Sequence, residues 1–573
     1  MAEQIGKSLP RQELKGFAPV LIAGAGPVGL TLAADLAWRG VRSLVVEPRV
    51  DVNSHPRAIS IGVRTMEHFR RLGLDGAIID AGVPRNRALD VVYGSRMLRH
   101  EVFRFQIPSI QDLAERRSEM TSRIPELAAS PYYKTWTAQS PLERVLRRHA
   151  AAQEQIDLRT GWRLSAFEEK TDRVEAVLVE NETGRQHRIS CSYLVGCDGS
   201  ASFVRKHLGI HLDGRGTLGA ARGVYFRSAE LNRRLGERPG VMYWALAPDA
   251  AGVIYTIDGG DEWVLNRYYD TDEQACSENA ESIVERAIGE ALDVEILSDQ
   301  NWSPRQLVAE RFSSTRVFLA GDACHLFVPT GGFGMNTGIG DAVDLAWKMS
   351  AVFEGWGGPH LLAAYDTERR PVGTRNTLEA ADNYFKSGEL LSGIGNIEAE
   401  GAEGERARKA IAEKLPPKIK HFAPIGAHLG YRYSDSPIVV SDGTQEPAHE
   451  VATYTPTARP GHRAPHMWLP DGTSILDLFG RGFTLLTFGD EHGDFHQFRA
   501  AAENRALPLC IRHVDNTEAT RLYAKRMVLV RPDGHVAWRG DAVPQSIHLI
   551  LDTVRGALLR SAPITRETTG FVE

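Results

Sequence analysis

The sequence predicts an α/β fold of several domains: a strand–helix–strand unit at the N-terminus, a β-sheet segment inserted after it, and a separate small α/β domain at the C-terminus. Three observations predict it. Residues 20–29 (VLIAGAGPVG) pass from an apolar run through a glycine turn into helix-forming text. Residues 219–302 are rich in strand formers with turn signals between them. Residues 316–353 repeat the sequence of apolar strand, glycine loop and amphipathic helix.

The bulk composition bounds the reading. At 573 residues the chain is too long for one core, so roughly two to four domains are expected. It is 42% hydrophobic and 24% charged with a net charge of −6, a globular composition with no basic excess for a nucleic-acid partner. No apolar run approaches the ~20 residues of a membrane span. The N-terminal stretch MAEQIGKSLPRQELKGFAP lacks the apolar core of a secretory signal. The cysteines (Cys191, Cys197, Cys276, Cys324, Cys510) are scattered and form no CxxC. They point to a reducing, cytoplasmic setting and against a disulfide framework or a thiolate metal site.

In the first unit, Val20–Ala23 reads as a buried parallel strand, and Val28, Leu32 and Leu36 recur at helical spacing up to about Arg39. A second strand, Ser43–Val46, ends in Glu47. Each glycine between has a separate physical task. Gly24 makes the tight turn, Gly26 lets a pyrophosphate approach the backbone, and Gly29 allows close helix–strand packing. The helix N-terminus offers free N–H groups and partial positive charge. Glu47 is placed to accept hydrogen bonds from a ribose hydroxyl. The unit is therefore Rossmann-like and dinucleotide-binding, and its spacing alone does not separate FAD from NAD(P).

Further on, LVGCDGSASFVR (194–205) runs a strand into Asp198-Gly199, where Asp198 reads equally as a helix cap. In GDACHLFVPTGGFGMNTGIGDAVDLAWKM (321–349) a strand ends at Gly321-Asp322. A glycine loop follows, and a helix starts near Asn336 with Ile339, Ala342, Leu345, Ala346 and Met349 on one face.

These three signals, in this order, resemble the flavoprotein aromatic hydroxylases related to para-hydroxybenzoate hydroxylase, the class A flavin monooxygenases. The resemblance extends through DAVDLAWKM and YDTERRPVG (365–373) and covers about the first 390 residues. It implies an FAD stretched between the two glycine loops. Gly24, Gly26, Pro27, Val28 and Gly29 would hold the pyrophosphate, and Glu47, with Arg49 beside it, the adenosine ribose. Gly321 and Asp322 would hold the ribityl chain. Gly334, Met335 and Asn336 would face the pyrimidine side of the flavin, and Pro329 would line the pocket at its reacting edge. Gln139 and Arg57 match cofactor-contacting positions. Asp198 and Gly199 fall near the pyrophosphate, and Asp198 and Arg205 would meet the nicotinamide nucleotide transiently. A single GxGxxG fits a family that binds NAD(P)H without a second nucleotide domain. The implied chemistry is reduction of FAD by NAD(P)H, addition of O2 at flavin C4a, and transfer of one oxygen from the hydroperoxyflavin to a phenolic or related aromatic ring.

The substrate side is thinner. ARGVYFRS, VMYWALAP, GVIYTID and EWVLNRYY read as strands roofing the site, with Tyr225, Trp244, Tyr255 and Tyr268 as candidate pocket residues and Arg57 and Pro329 beside them. Each tyrosine or tryptophan is equally explained as sheet core. No general base declares itself: where some relatives carry an acid or histidine there is Ile59, and His55 and His325 read equally as structural.

The expected organisation is an FAD-binding domain (1–90, 136–215, 310–395), a substrate sheet (91–135, 216–309) and a surface helical connector (396–445). RPGHRAPHMWLPDGTSILDLFGRGFTLLTFG and then VLVRPDGHVAWRG resemble the thioredoxin-like tail of the larger phenol hydroxylases, which implies a thioredoxin-like domain without redox cysteines (446–573). His492 and His496 stand at metal spacing without a third ligand, so no metal is expected. Ser200 lies in GSASF, outside a hydrolase elbow. A homodimer is expected. The rival functions are Baeyer–Villiger or polyketide-tailoring oxygenation on the same fold and, from another class, a non-catalytic FAD- or ligand-binding protein.

Overall fold

The computed structural model describes residues 16–489 and 495–558. The pair His492/His496 lies partly outside them, at His492.

Phe17–Ala23 is a central strand because its apolar run is covered on both faces: Val20, Leu21 and Ile22 are fully buried. It pairs parallel with Ser43–Glu47 on one side and with Gln186–Gly196 on the other. The seven-stranded sheet runs Ile156–Thr160, Ser43–Glu47, Phe17–Ala23, Gln186–Gly196, Val174–Glu180 and Trp162–Glu169, with Val317–Leu319 parallel to the end of Gln186–Gly196. The three strands that lead into the Gly24, Asp198 and Gly321 loops thus lie side by side, and their ends deliver those loops to one edge, as expected for ligand sites in α/β sheets. Helix Pro27–Trp38 packs against helix Gly334–Phe353 closely enough to require a glycine. A Cβ on Gly338 would sit 2.7 Å from Val28 Cγ2 and 2.8 Å from Gly321 Cα.

A second seven-stranded sheet joins Val91–Arg96 and Arg99–Phe105 to strands between Ala220 and Trp302. All its pairings are antiparallel except Met242–Ala245 with Val91–Arg96. Alternation separates its faces. Val224, Phe226, Tyr243, Ile254 and Leu265 pack under helix Ala280–Ile288. Tyr93, Trp244, Tyr255 and Val264 face the other way, toward Val63, Trp136 and Ala138 of the nucleotide-binding part.

The stretch 396–445 corrects one expectation. Its helix Gly401–Ala412 does carry a charged outer face, but the stretch is no mere surface connector. Ile397, Ile411, Leu415, Phe422, Ile425 and Leu429 are buried in the cluster beneath the second sheet. The apolar residues are spaced too widely among charges for the pattern to show.

The C-terminal domain has the order strand Phe483–Phe488, helix His496–Glu503, strand Leu509–Val514, helix Thr517–Tyr523, strands Met527–Val530 and Val536–Gly540, helix Ile547–Val554. The second strand pairs parallel with the first, and the third and fourth antiparallel, which is a thioredoxin-like sheet. Cys510 is a free thiol on its edge strand. This domain meets the first through buried charge. Arg531 reaches Glu368 (2.5 and 2.9 Å), Asp344 (3.1 Å) and Asp533 (2.6 Å), and Lys348 bonds Asp344 (2.5 Å) and Glu368 (2.6 Å). Among the described residues no helix is long and apolar enough to cross a membrane.

Candidate active site

The adenosine end is built from backbone. Gly24 has φ +108°, and a Cβ there would collide with the Cys197 carbonyl, so only glycine fits. Nothing lies within 4 Å of a Cβ placed on Gly26, so that face is open to a ligand. Gly26 caps helix Pro27–Trp38 without a side-chain hydrogen bond, and Pro27 fills the first position, where no N–H is needed. The Val28 and Gly29 amides are left bare. Glu47 is buried, accepts from the Ala25 amide at 2.9 Å and is held by Arg49 at 3.0 Å, so its carboxylate is fixed at the end of its strand.

Asp198 is half pinned. Its Oδ2 accepts from the Val204 amide at 3.0 Å, while Oδ1 is buried without a partner. Burial raises its carboxyl above the usual range. Ser202, not Asp198, is the N-cap of helix Phe203–His207. Arg205 is buried and turned to protein, donating to the Ser200 and Ala323 carbonyls (3.3 and 3.1 Å) and so tying the Asp198 loop to the Asp322 loop. Gln139 opens its helix and donates to Glu143 at 2.6 Å, and its amide donates to the Ala58 carbonyl.

At the far end, Gly321 takes φ +65° and its N–H donates to Asp341 at 3.1 Å. Asp322 faces open space, yet protein surrounds it on its other sides, and its carboxylate has no hydrogen bond among the described residues. Its surroundings raise the carboxyl pKa, with His325 and Arg57 opposing. Arg57 is itself exposed with no ion pair among the described residues. The loop Pro329–Phe333 leads into helix Gly334–Phe353, whose amides at Gly334, Met335 and Asn336 carry no hydrogen bond. Asn336 instead uses its side chain to lock the loop, accepting from Gly62 N at 2.7 Å and donating to the Gly332 carbonyl at 2.6 Å. Pro329 is exposed at the rim.

On the sheet, Tyr225 donates to Glu262 at 2.5 Å, and burial with that contact raises its phenol pKa. Tyr255 accepts from Asn266 at 2.9 Å, and burial keeps it protonated. Trp244 is stacked on Tyr93 at 5.6 Å and nearly buried, closer to core than to an open wall. Tyr268 meets Tyr384 edge-on at 5.6 Å. Tyr384 in turn packs with Val328 and Phe333 of the loop.

His55 rests on Gly223, where a Cβ would meet its Nε2 at 2.9 Å, and it pairs with Ser298 Oγ at 3.1 Å. Burial, then Arg57, lower its pKa. His325 is fully buried against Asp341 at 2.7 Å, out of reach of a substrate. Cys324, His325 and Asp341 cluster closely enough to suggest a metal, but Asp341 is already bonded by Arg369, His325 and Gly321. Sequence reasoning missed Asp341 and Arg369 as the residues that hold the Gly321 turn. Their signal lay in the DAVDLAWKM and YDTERRPVG stretches, in which charges interrupt an apolar helix.

The open Gly26 face and the bare amides at both helix starts fit the phosphates and electron-rich ring, and the unpartnered Asp198 Oδ1 and unbonded Asp322 carboxylate fit the hydroxyls, of an elongated polar group such as FAD. The FAD binding domain family matches residues 18–380, and the aromatic-ring hydroxylase C-terminal family matches 457–558. An FAD-dependent monooxygenase of Emericella nidulans, apdD, is 33% identical over 566 residues, covering 94% of this chain and 89% of that protein. The tetracenomycin B2 monooxygenase-dioxygenase of Streptomyces olivaceus is 33% identical over 567 residues, covering 94% and 98%. The rebeccamycin biosynthetic enzyme RebC, solved with bound 7-carboxy-K252c, is similar with TM-score 0.87 and 39% identity over 95% of this chain and 100% of that one.

Proposed function

The chain belongs to the FAD-dependent monooxygenases that carry an aromatic-ring hydroxylase C-terminal domain, and from that premise we propose that it hydroxylates a phenolic ring of a multi-ring aromatic compound using NAD(P)H and O2. Bound FAD supplies the hydride-accepting and oxygen-activating chemistry. The chain's own residues bind, orient and shield.

Glu47 and the Val28 and Gly29 amides anchor the adenosine end, and Asp322 the ribityl chain. With FAD bound, the Gly334–Asn336 amides would meet its pyrimidine side and favour negative charge there. Tyr255, protonated and accepting from Asn266 through an oxygen lone pair, is left with its one proton to donate to a substrate oxygen. Arg57, unpaired, attracts a phenolate toward the flavin edge. His55 fixes the loop that carries Arg57 to the sheet. The apolar walls exclude water, and the packed loop holds the ring in reach.

The observation that carries the reading is the aromatic sheet face. Tyr225, Tyr268 and Tyr255 lie on three adjacent strands, a width of roughly 10 Å. That exceeds a single ring, and relatives with polyketide hydroxylase in their names support a substrate larger than a simple phenol. A role in breaking down a simple phenol is the narrower version of the same reading. We take the working enzyme to be a cytoplasmic homodimer, which light scattering tests.

The functional test is a screen of purified yellow protein against phenols, naphthols and larger fused-ring phenols, with NAD(P)H oxidation and product masses followed together. One added oxygen retained as a ring hydroxyl supports the reading. Oxygen inserted beside a ketone supports the Baeyer–Villiger rival, and a spectral shift without turnover the binding-protein rival.

A further inference from the structure

Lys134 is a cation without a counter-ion. Its ammonium donates to the Phe422 carbonyl at 2.9 Å and lies 5.4 Å from the centre of the Trp136 ring. Among the described residues no carboxylate pairs with it. Beside it is a cavity of about 20 Å³, room for one water. Ser60, Gly62, Gly331, Asn336, Phe422 and His428 wall it. The titratable groups on its walls are Lys134, His428 and Tyr133, and no acid is among them.

Burial pushes the Lys134 ammonium down to about 8. Burial, with Lys134 beside it, holds His428 at about 4, and burial raises the Tyr133 phenol, so both neighbours are neutral near pH 7. Lys134 is half-buried, and an ammonium without a counter-ion beside it gains from an approaching negative charge. Two of the walls say from where. Gly331 and Asn336 flank the bare amides of Gly334–Asn336, and the Asn336 bonds to Gly62 and Gly332 keep that wall from collapsing.

We propose that Lys134 is the counter-charge for the negative charge that flavin acquires at its pyrimidine end on reduction, acting through the one-water cavity behind the Gly331–Asn336 loop. This rests on the reading that FAD lies with that end against Gly334–Asn336. Lys134 does not touch the flavin. It adds a unit charge to the partial charge of the helix N-terminus, from the side the helix cannot cover. At several ångströms and an intermediate effective dielectric, one charge favours reduced over oxidised flavin by roughly tenfold or more.

The test uses substrate-free holoenzyme, so no phenolate contributes. The midpoint potential of bound FAD is measured from about pH 6 to about pH 9 for wild type, Lys134→Met and Lys134→Arg, together with the dissociation constant of oxidised FAD. The expected result is near-normal binding of oxidised FAD by Lys134→Met and reduced-flavin affinity lower by roughly tenfold, seen as a more negative potential. The wild-type potential bends near the Lys134 titration, and Lys134→Arg keeps the potential but loses the bend. A Lys134→Met enzyme with bound FAD and wild-type potential at every pH overturns the proposal. If Lys134→Met does not fold, Lys134→Gln replaces it, and a wild-type potential in that variant is equally fatal. Asp322→Ala separates the premise: if that variant keeps FAD tightly, the cofactor does not run past the Gly321–Asp322 turn toward the Gly331–Asn336 loop, and the placement on which the inference rests falls. If it loses FAD while the potentials are unchanged, only the role of Lys134 falls.

Discussion

Arg531→Met is the sharpest test of how the C-terminal domain is held. Methionine keeps much of the side-chain volume between Trp347 and Tyr433, whose rings lie 5.0 and 4.9 Å from the guanidinium carbon. What disappears is charge. Arg531 and Lys348 face Asp344, Glu368 and Asp533, two cations against three carboxylates, all nearly or fully buried. Without Arg531, one lysine faces three acids. Removing one partner from a buried ion network costs about 3–5 kcal/mol, because the remaining charges stay desolvated. That is a large part of the ~5–15 kcal/mol that holds a typical domain together. For a domain of this size it lowers the melting temperature by roughly 6 °C or more. The assay is thermal unfolding of holoenzyme followed by circular dichroism and by flavin fluorescence. Asp344 lies on helix Gly334–Phe353, whose start is the proposed flavin contact, so FAD release is expected to move down with the unfolding midpoint. A variant melting within about 1 °C of wild type would show that apolar packing, not the ion network, joins the domains, and would refute the reasoning.

The same network predicts a pH effect. Burial, with Glu368 alongside, raises Asp344 to about 7 despite Lys348 and Arg531. A folded pKa above the unfolded value means the native state holds an extra proton, so this contribution to stability falls as pH rises from about 4 to about 7. Asp344→Asn should remove that fall and gain on wild type at pH 8 in chemical denaturation; an unchanged slope would contradict it. Asp322→Ala should lose FAD or hold it loosely, with affinity down about tenfold to a hundredfold for a lost charged hydrogen bond, read as bound flavin per chain; purification with full, tight FAD would disprove the placement. Glu47→Ala should weaken FAD similarly through the ribose and leave the Ala25 amide unpaired; unchanged titration calorimetry would remove Glu47 from the site.

Much of the fold was legible because local chemistry specified it. The Gly24–Gly29 turn, the Asp198-Gly199 and Gly321-Asp322 loops and the strands from Ala220 to Tyr269 each announce themselves within a few residues. The proposed cofactor positions rest on them. What stayed hidden depends on partners distant in sequence. Asp341 and Arg369 hold the Gly321 turn, and Asn336 locks onto Gly62. The burial of Phe422 and Ile425 beside Lys134 could not be read from a stretch dominated by charge. Tyr225, Trp244 and Tyr255 looked alike as sequence, and only the register separates the stacked Trp244 from the partly open Tyr225.

The Arg531–Glu368–Asp344 cluster also bears on descent. A tail domain joined to its neighbour by apolar contact can be exchanged between lineages, because one greasy face tolerates another. This one cannot travel alone. A recombinant that imported a tail without the arginine would bury three carboxylates against one lysine, and a recombinant that imported the arginine onto neutral helices would leave its guanidinium buried with Asp533 as its one carboxylate. The charges at 344, 348, 368, 531 and 533 are expected to be inherited or lost together, as a lock and its key.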